Sequence, residues 1–543
     1  MQPSYASGAA DAPLIGQTIG ENLEDTVARF PDADALVARH QRVRLSWREL
    51  NEEVDRVARG LIAMGLERGD RLGIWSPNRV EWVLIQFATA KAGVILVNLN
   101  PAYRTTELEY ALKQSGCRWL VAAREHKTSD YAAMIEEVRP ACEAVEQVIL
   151  FESPGWDDLL AAGDAASPEA LRERMAALDF DDPINIQYTS GTTGAPKGAT
   201  LTHHNILNNG FFVGELCGYT EDDRVCIPVP FYHCFGMVMG NIGCSSHGAC
   251  MVLPEAAFEP LSVLQAAQDE RCTSLYGVPT IFIAELEHPD FESFELTSLR
   301  TGIMAGAPCP VEVMKQVIDR MHMGEVTICY GMTETSPVST QTRAGDSIER
   351  RVGSVGRVHP HVEIKIVDPA DGRTVPRGQP GEFCTRGYSV MQGYWDEPER
   401  TREAIDRAGW MHTGDLATMD DNGYVKIVGR SKEMIIRGGE NVYPREIEEF
   451  LYSHPDVQDV AVVGVPDERY GEEIMAWVIP RAGCEIDPEE VREFCRGRIA
   501  HFKVPRYVQQ VDEFPMTVTG KIQKFKLRDR AIADMNLEVV ETA

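Results

Sequence analysis

The repeated alternation of short apolar runs with helix-patterned segments most narrows what this chain can fold into. Between Ile19 and Ala123 the runs Arg71 to Trp75, Gly93 to Leu99 and Trp119 to Ala122 are separated by segments of helical period. Ser46, with Glu49 three residues on, has the spacing of a capping box and predicts a helix start. Val57, Leu61, Ile62 and Met64 continue its apolar stripe, and Thr105 to Ser115 reads as another helix. Strands that are apolar throughout, alternating with helices, predict parallel sheets covered on both faces. The pattern recurs after an acidic surface connection from Pro154 to Asp182. A helix from about His203 is followed by runs at Val225 to Val229, Met251 to Leu253, Ser274 to Val278 and Leu299 to Met304.

From Val362 the style changes to short alternating strands with Asp371-Gly372 and Asn422-Gly423 turns, which predicts an antiparallel subdomain. A boundary near Gly429-Arg430-Ser431-Lys432 divides the chain into 1–430 and 431–543. The second part reads as a small α+β unit. Pro444 opens a helix from Arg445 to Tyr452, Val460 to Val465 and Met475 to Ile479 form strands, and Thr517 to Lys521 forms a turn.

At 543 residues the chain exceeds one ordinary core, and its 44% hydrophobic and 25% charged residues are those of a globular protein. A formal charge of −30 excludes a nucleic-acid surface, because phosphate backbones need clustered Lys and Arg. A small anionic ligand must instead meet locally concentrated cations. The thirteen cysteines include no Cys-x-x-Cys pair, and no zinc spacing surrounds Cys244 and Cys250. Reduced, mostly buried thiols are expected, which fits a cytoplasmic location. Met1 to Gly16 lacks the basic and apolar regions of a secretory signal. Gln86, Lys91 and Gly93 interrupt the most apolar window, Trp82 to Leu99, so it reads as a buried helix running into a strand and not as an integral membrane segment.

Candidate chemistry centres on Tyr188 to Thr200, which holds five Ser/Thr residues, three glycines and Lys197. Glycines allow close backbone approach, and successive N–H groups can form an anion-holding nest. The composition suits polyphosphate, with a plain surface loop as the alternative. It is not the ordinary nucleotide P-loop, because Gly198 stands where a Ser or Thr would coordinate magnesium. Four further groups follow apolar strands or sit on turns: Gly306-Ala307-Pro308, Tyr330-Gly331-Met332-Thr333-Glu334-Thr335, Trp410 to Asp415, and Gly520-Lys521. Each alone has a structural reading as a capped helix, a satisfied histidine (His412) or a solvated lysine.

Together these groups, in this order, resemble the adenylate-forming (AMP-binding) superfamily from about residue 20 to 530. Pro230 to Gly236, Arg386 to Trp395 and Gly438 to Pro444 resemble its medium-chain fatty acyl-CoA synthetases. The resemblance implies that Thr189, Ser190, Gly191, Thr192, Thr193, Gly194 and Lys197 hold the β- and γ-phosphates of ATP. Gly306, Ala307, Pro308 and Tyr330 would flank adenine, with Gly331 and Met332 beside them. Thr333 would meet the α-phosphate, Glu334 the magnesium ion, and Asp415 with Arg430 the ribose. Lys521 would reach the α-phosphate and the acid. Lys432 would be a hinge on which the small domain rotates, bringing Gly438 and Gly439 to coenzyme A. Lys503 and Arg506 would lie near its phosphates. His233, Phe235, Val278, Met304 and Gly331 would line the acyl pocket, with His233 at its mouth.

The implied activity is an acid–thiol ligation through acyl-AMP with ATP, Mg2+ and coenzyme A, on a carboxylic acid of medium chain. A homodimer is an open expectation. An acyl-AMP ligase or carrier-loading enzyme, a ligase for an aryl or short-chain acid, a luciferase-like oxygenase and a non-catalytic nucleotide sensor are the alternatives. No surplus insertion lies between Gly331 and Arg430, no carrier-like segment follows Lys521, and both Glu334 and Lys521 are present.

Overall fold

The computed structural model describes residues 2–9, 11–189, 196–307, 309–430, 433–437, 440–467, 469–516, 522–535 and 537. Within them the alternating segments form two large sheets. In the seven-stranded sheet the strands Pro183–Thr189, Ile95–Asn98, Arg71–Trp75, Trp119–Ala122 and Gln147–Leu150 are parallel, and Lys197–Thr202 and Gly393–Tyr394 extend one edge antiparallel. The nine-stranded sheet has six parallel strands at its centre, from Asp34–Ala38 through to Thr327–Gly331. Its two faces enter different cores. Ile303 and Ala305 pack between the large sheets, whereas Met304 packs on the other side with Cys226, Leu275 and Ile328. That period of two on a sheet buried on both faces explains the continuous apolar runs.

The second core is closed by a five-stranded sheet of antiparallel strands, Tyr5–Ser7, Val362–Val367, Gly381–Gly387, Met411–Met419 and Val425–Arg430. A last sheet, built around Val457–Asp467 and Gly471–Pro480, alternates Val460 and Val462 on one face with Ala461 and Val463 on the other.

Local expectations hold where the signal is local. Ser46 Oγ accepts from the Glu49 N–H, and Glu49 accepts from the Ser46 N–H at 2.8 Å, the reciprocal cap of the helix Trp47–Ala63. The helices Thr105–Ser115, His203–Cys217 and Pro444–Leu451 start where their patterns place them. The strand expected from Val225 to Val229 ends at Cys226, because Pro228 has no N–H to give a ladder. All thirteen cysteines are unpaired and twelve are buried. Lys91, fully buried on the helix Val80–Ala92, is neutralised by Glu24 and Asp55, with Asn51 as a third partner. Among the described residues no helix is long and apolar enough to cross a membrane.

One buried ionisable group has no such partner among the described residues. Glu285, on the helix Pro279–Leu286, is fully buried with neither carboxylate oxygen hydrogen-bonded, and burial raises its carboxyl well above the usual range. The fold therefore holds it protonated. A carboxyl raised on folding contributes stability below its unfolded value and loses it as pH rises through the folded one. Glu285→Gln, which ionises in neither state, is expected to melt on the order of several degrees above the parent at about pH 8. It should match the parent near pH 4.5, the unperturbed carboxyl value. Equal melting temperatures at the higher pH would contradict a neutral Glu285.

Candidate active site

The hairpin of Pro183–Thr189 and Lys197–Thr202 sets Thr189 directly opposite Lys197, at the two ends of the Gly/Ser/Thr loop. Ser190, Gly191, Thr192, Thr193 and Gly194 lie outside the described residues. Both sides of the loop's base are fastened. Tyr188 Oη donates to Gln114 at 2.6 Å, and Gln114 Nε2 donates to the Trp395 carbonyl at 2.6 Å. Tyr110 Oη donates to the Pro196 carbonyl at 3.0 Å.

Glu334 comes to this hairpin from the nine-stranded sheet. It sits on the 3₁₀ turn Thr333–Thr335, just past the strand Thr327–Gly331, with only 5% of its surface exposed. Its Oε1 accepts from Tyr394 Oη at 2.8 Å and lies 3.5 Å from Thr189 Oγ1. Lys197 Nζ stands 4.8 Å from the centre of the Tyr394 ring. A carboxylate, an ammonium and two hydroxyls from three distant stretches thus share one site. Burial and the Glu334 carboxylate push the Tyr394 hydroxyl up, so it stays a donor. Thr333 and Met332 are half-buried beside this carboxylate. The Gly393-Tyr394-Trp395 motif by itself gives no sign of this contact between Tyr394 and Glu334.

Glu334's segment also begins a second cluster. Tyr330 Oη donates to Asp415 Oδ2 at 2.7 Å, and Arg430 Nε meets Asp415 Oδ1 at 3.0 Å. The Tyr330 ring packs edge-on against Phe383, 5.0 Å between centres. Burial and then Asp415 raise the Tyr330 hydroxyl well above its ordinary value, and Asp415 raises the Arg430 guanidinium. Gly306 follows the neighbouring strand Thr301–Ala305 at φ +86°, a left-handed turn at the carboxyl edge where open α/β sheets bind ligands. A side chain on Gly306 would come within 3.2 Å of Val278. Ala307 is half-buried there, and Pro308 is outside the described residues.

The residues expected in an acyl pocket are only partly brought together. His233 sits just before, and Phe235 at, the start of a π-helical segment, Phe235–Ile242. Phe235 and Val278 are half-buried on the core between the large sheets, and Phe235 lies 5.6 Å from the Tyr276 ring. His233 packs on Tyr232, 4.3 Å between rings. Met304 is not with them, because it is fully buried and points into the opposite core. Gly331 is needed by the backbone, since a Cβ there would lie 1.7 Å from the Pro337 carbonyl oxygen. Behind the π-helix, Gln187 donates to Asn185 and Met237, Cys234 donates to Gln187, and Asn98 donates to the Tyr232 carbonyl. This buried polar chain joins the loop's own strand to the π-helix, and no pattern in the sequence announced it.

In the last sheet's unit, Lys432, Gly438, Gly439 and Lys521 lie outside the described residues. The flanks of 517–521 are joined by a Met516–Ile522 bridge, and Lys524 is held by Glu448 at 2.6 Å. Lys503 pairs with Glu446, and Arg506 with Asp467 at 2.7 Å.

A model of the AMP-binding enzyme family matches residues 23–395, and one of its C-terminal domain matches 446–521. The chain belongs to the AMP-binding enzyme family. Among its relatives is YngI of Bacillus subtilis (strain 168), provisionally named an acyl-CoA synthetase. It is 48% identical over 545 residues, covering 97% of this chain and 99% of the relative. The mitochondrial medium-chain acyl-CoA ligase ACSF2 of Mus musculus is 46% identical, covering 97% and 89%. Among solved structures, ATP-bound MatB from Rhodopseudomonas palustris is similar with a TM-score of 0.84 at 31% identity, covering 96% of this chain and 100% of that one. In this AMP-binding enzyme the α/β architecture with its small α+β unit is therefore the family's fold.

Tyr394→Phe removes the only hydroxyl at 2.8 Å from Glu334 among the described residues and keeps the ring under Lys197. It is expected to slow ATP–pyrophosphate exchange about tenfold, the loss of one hydrogen bond to a charged group, and to raise the Mg2+ concentration needed for half-maximal rate. A Mg2+ titration of exchange reads both, and an unchanged midpoint would dissociate Tyr394 from Glu334.

Proposed function

We propose that this chain is a fatty acid–CoA ligase that activates a medium-chain acid with ATP to acyl-AMP and pyrophosphate, then passes the acyl group to coenzyme A. The reaction class is that of an AMP-forming acyl-CoA ligase, and it uses ATP, Mg2+ and coenzyme A. The convergence of Thr189, Lys197, Glu334 and Tyr394 at the loop, one short segment away from Tyr330, Asp415 and Arg430, carries the reading. The chain length is supported by the medium-chain ligase among the relatives.

In this proposal the loop from Thr189 to Gly194, with Lys197, takes the β- and γ-phosphates. Thr333 takes the α-phosphate. Tyr330 and Gly306-Ala307-Pro308, with Gly331 and Met332, take adenine, and Asp415 with Arg430 takes ribose. Glu334, a buried carboxylate offering oxygen, fits the hard ion Mg2+, which when bound neutralises phosphate oxygens. A carboxylate oxygen of the acid attacks the α-phosphorus as the bond to pyrophosphate breaks. Two anions must meet, so positioning and cationic stabilisation supply the rate. Lys521 brings the second cation. The coenzyme A thiolate then attacks the acyl carbonyl and AMP leaves.

Residues 1–430 and 431–543 are proposed as two domains that turn about Lys432, with Gly438 and Gly439 lining the thiol's path and His233, Phe235 and Val278 the acyl pocket. Thirteen unpaired cysteines support a reducing compartment such as the cytoplasm.

AMP release measured with and without coenzyme A over a panel of straight-chain and aromatic acids is expected to peak at medium chain length. Pyrophosphate exchange without any thioester product would replace this reading by acyl-AMP formation alone. Lys521→Ala is expected to lower exchange at least about a hundredfold, the scale of one lost transition-state donor. Thioester formation from supplied acyl-AMP should stay largely intact, and equal loss in both halves would contradict the domain rotation.

A further inference from the structure

Asp415 sits on a bulge. On the strand Gly381–Gly387, Glu382 is opposite Leu416 and Cys384 opposite His412, so Phe383 alone faces Thr413, Gly414 and Asp415. Gly414 is left-handed at φ +70°, and Thr413 Oγ1 donates to the Phe383 carbonyl at 2.7 Å and accepts from the Asp415 N–H at 3.1 Å. One carboxylate closes this detour. Glu382 Oε1 accepts from the Gly414 N–H at 3.1 Å, and its Oε2 meets His412 Nδ1 at 2.8 Å. Cys384 Sγ lies 3.5 Å from the same nitrogen, and Asp406 Oδ2 lies 3.9 Å from His412 Nε2. Glu382, Cys384 and His412 could in principle gather a metal ion. Here both Glu382 oxygens and His412 Nδ1 are already engaged in holding backbone and ring.

We propose that Glu382, with His412, is a positioning residue for nucleotide binding: it fixes the bulge that presents the Asp415 carboxylate to Tyr330, Arg430 and the nucleotide ribose. Glu382 touches no substrate. It acts through the N–H of Gly414, the residue directly before Asp415, and through the His412 ring at the bulge's other side. The inference rests on the ribose role of Asp415 proposed above.

Initial rates of full-length Glu382→Leu, Glu382→Gln and His412→Ala with ATP, 2′-deoxy-ATP and 3′-deoxy-ATP test it. In Glu382→Leu the KM for ATP is expected to rise about tenfold, the scale of one lost charge-assisted hydrogen bond. The KM for acid and coenzyme A should not move, and the preference for ATP over the deoxy nucleotides should collapse. Glu382→Gln should restore most of that preference, because its amide oxygen still accepts from Gly414 and its amino group can donate to the other imidazole tautomer. Should Glu382→Leu not fold, His412→Ala carries the same test with a smaller shift in the same direction. Variants that keep the parent's nucleotide preference, or lose activity toward all substrates alike, overturn the positioning role alone. A parent enzyme that treats ATP and both deoxy nucleotides equally overturns the ribose role of Asp415, and this proposal with it.

Discussion

The site depends on a two-residue strand. Gly393–Tyr394 pairs with the outer edge of the seven-stranded sheet, Ala199 opposite Tyr394 and Thr200 opposite Gly393. Without that pairing, Tyr394 would have no reason to stand between Lys197 and Glu334, and Trp395 would offer no carbonyl to Gln114. The segment that makes it lies between two strands of the antiparallel sheet, so pairing it to the parallel sheet stitches the layers together beside the Gly/Ser/Thr loop. The Met391 N–H donates to the Glu334 carbonyl at 2.9 Å, which draws the third sheet to the same seam. Side chains from three sheets meet where these backbone groups pair.

Electrostatics adds a second constraint. With 83 acidic and 53 basic residues, the chain as a whole repels ATP, a fatty carboxylate and coenzyme A. Attraction has to be local, and the structure restrains Lys197 and Arg430 by specific partners. Lys197 stands over an aromatic ring and Arg430 is bound to Asp415. An arginine so paired keeps its charge at any working pH, with Asp415 raising it further. The same logic separates the buried ionic groups of the core. Lys91 is enclosed by Glu24, Asp55 and Asn51, whereas Glu285 has no hydrogen-bond partner and burial raises its carboxyl well above the usual range.

What could be read in the sequence was what adjacent residues decide. The Ser46–Glu49 cap, the start of the helix at His203 and the Pro at the head of Pro444–Leu451 are set within one turn of chain, and they are where the pattern puts them. The strand run from Leu299 to Met304 was equally plain, but a run does not say which face meets which core. Met304, which the family resemblance puts in the acyl pocket, faces away from Phe235 and Val278. The π-helical segment at Phe235 was invisible for a related reason. Its backbone is held by Gln86, whose side chain donates to the Met237 carbonyl at 3.0 Å, a partner far off in the sequence.

The residues missed at the site share one physical property. Those that sequence motifs mark (Thr189, Gly306, Glu334 and Asp415) all lie where regular structure stops: a hairpin end, a left-handed turn, a 3₁₀ turn, a bulge. Such backbone satisfies fewer of its own hydrogen bonds, so it must be held by side chains from regular elements beneath it. Glu382 does so directly at the Gly414 N–H, whereas Tyr394 holds the Glu334 carboxylate and Gln114 holds the Tyr188 hydroxyl and the Trp395 carbonyl beside the loop. Each looks like an ordinary polar residue of a strand or helix, because its own local structure asks nothing special of it. A motif therefore marks the irregular half of such a site, and only the fold discloses the half that keeps it still.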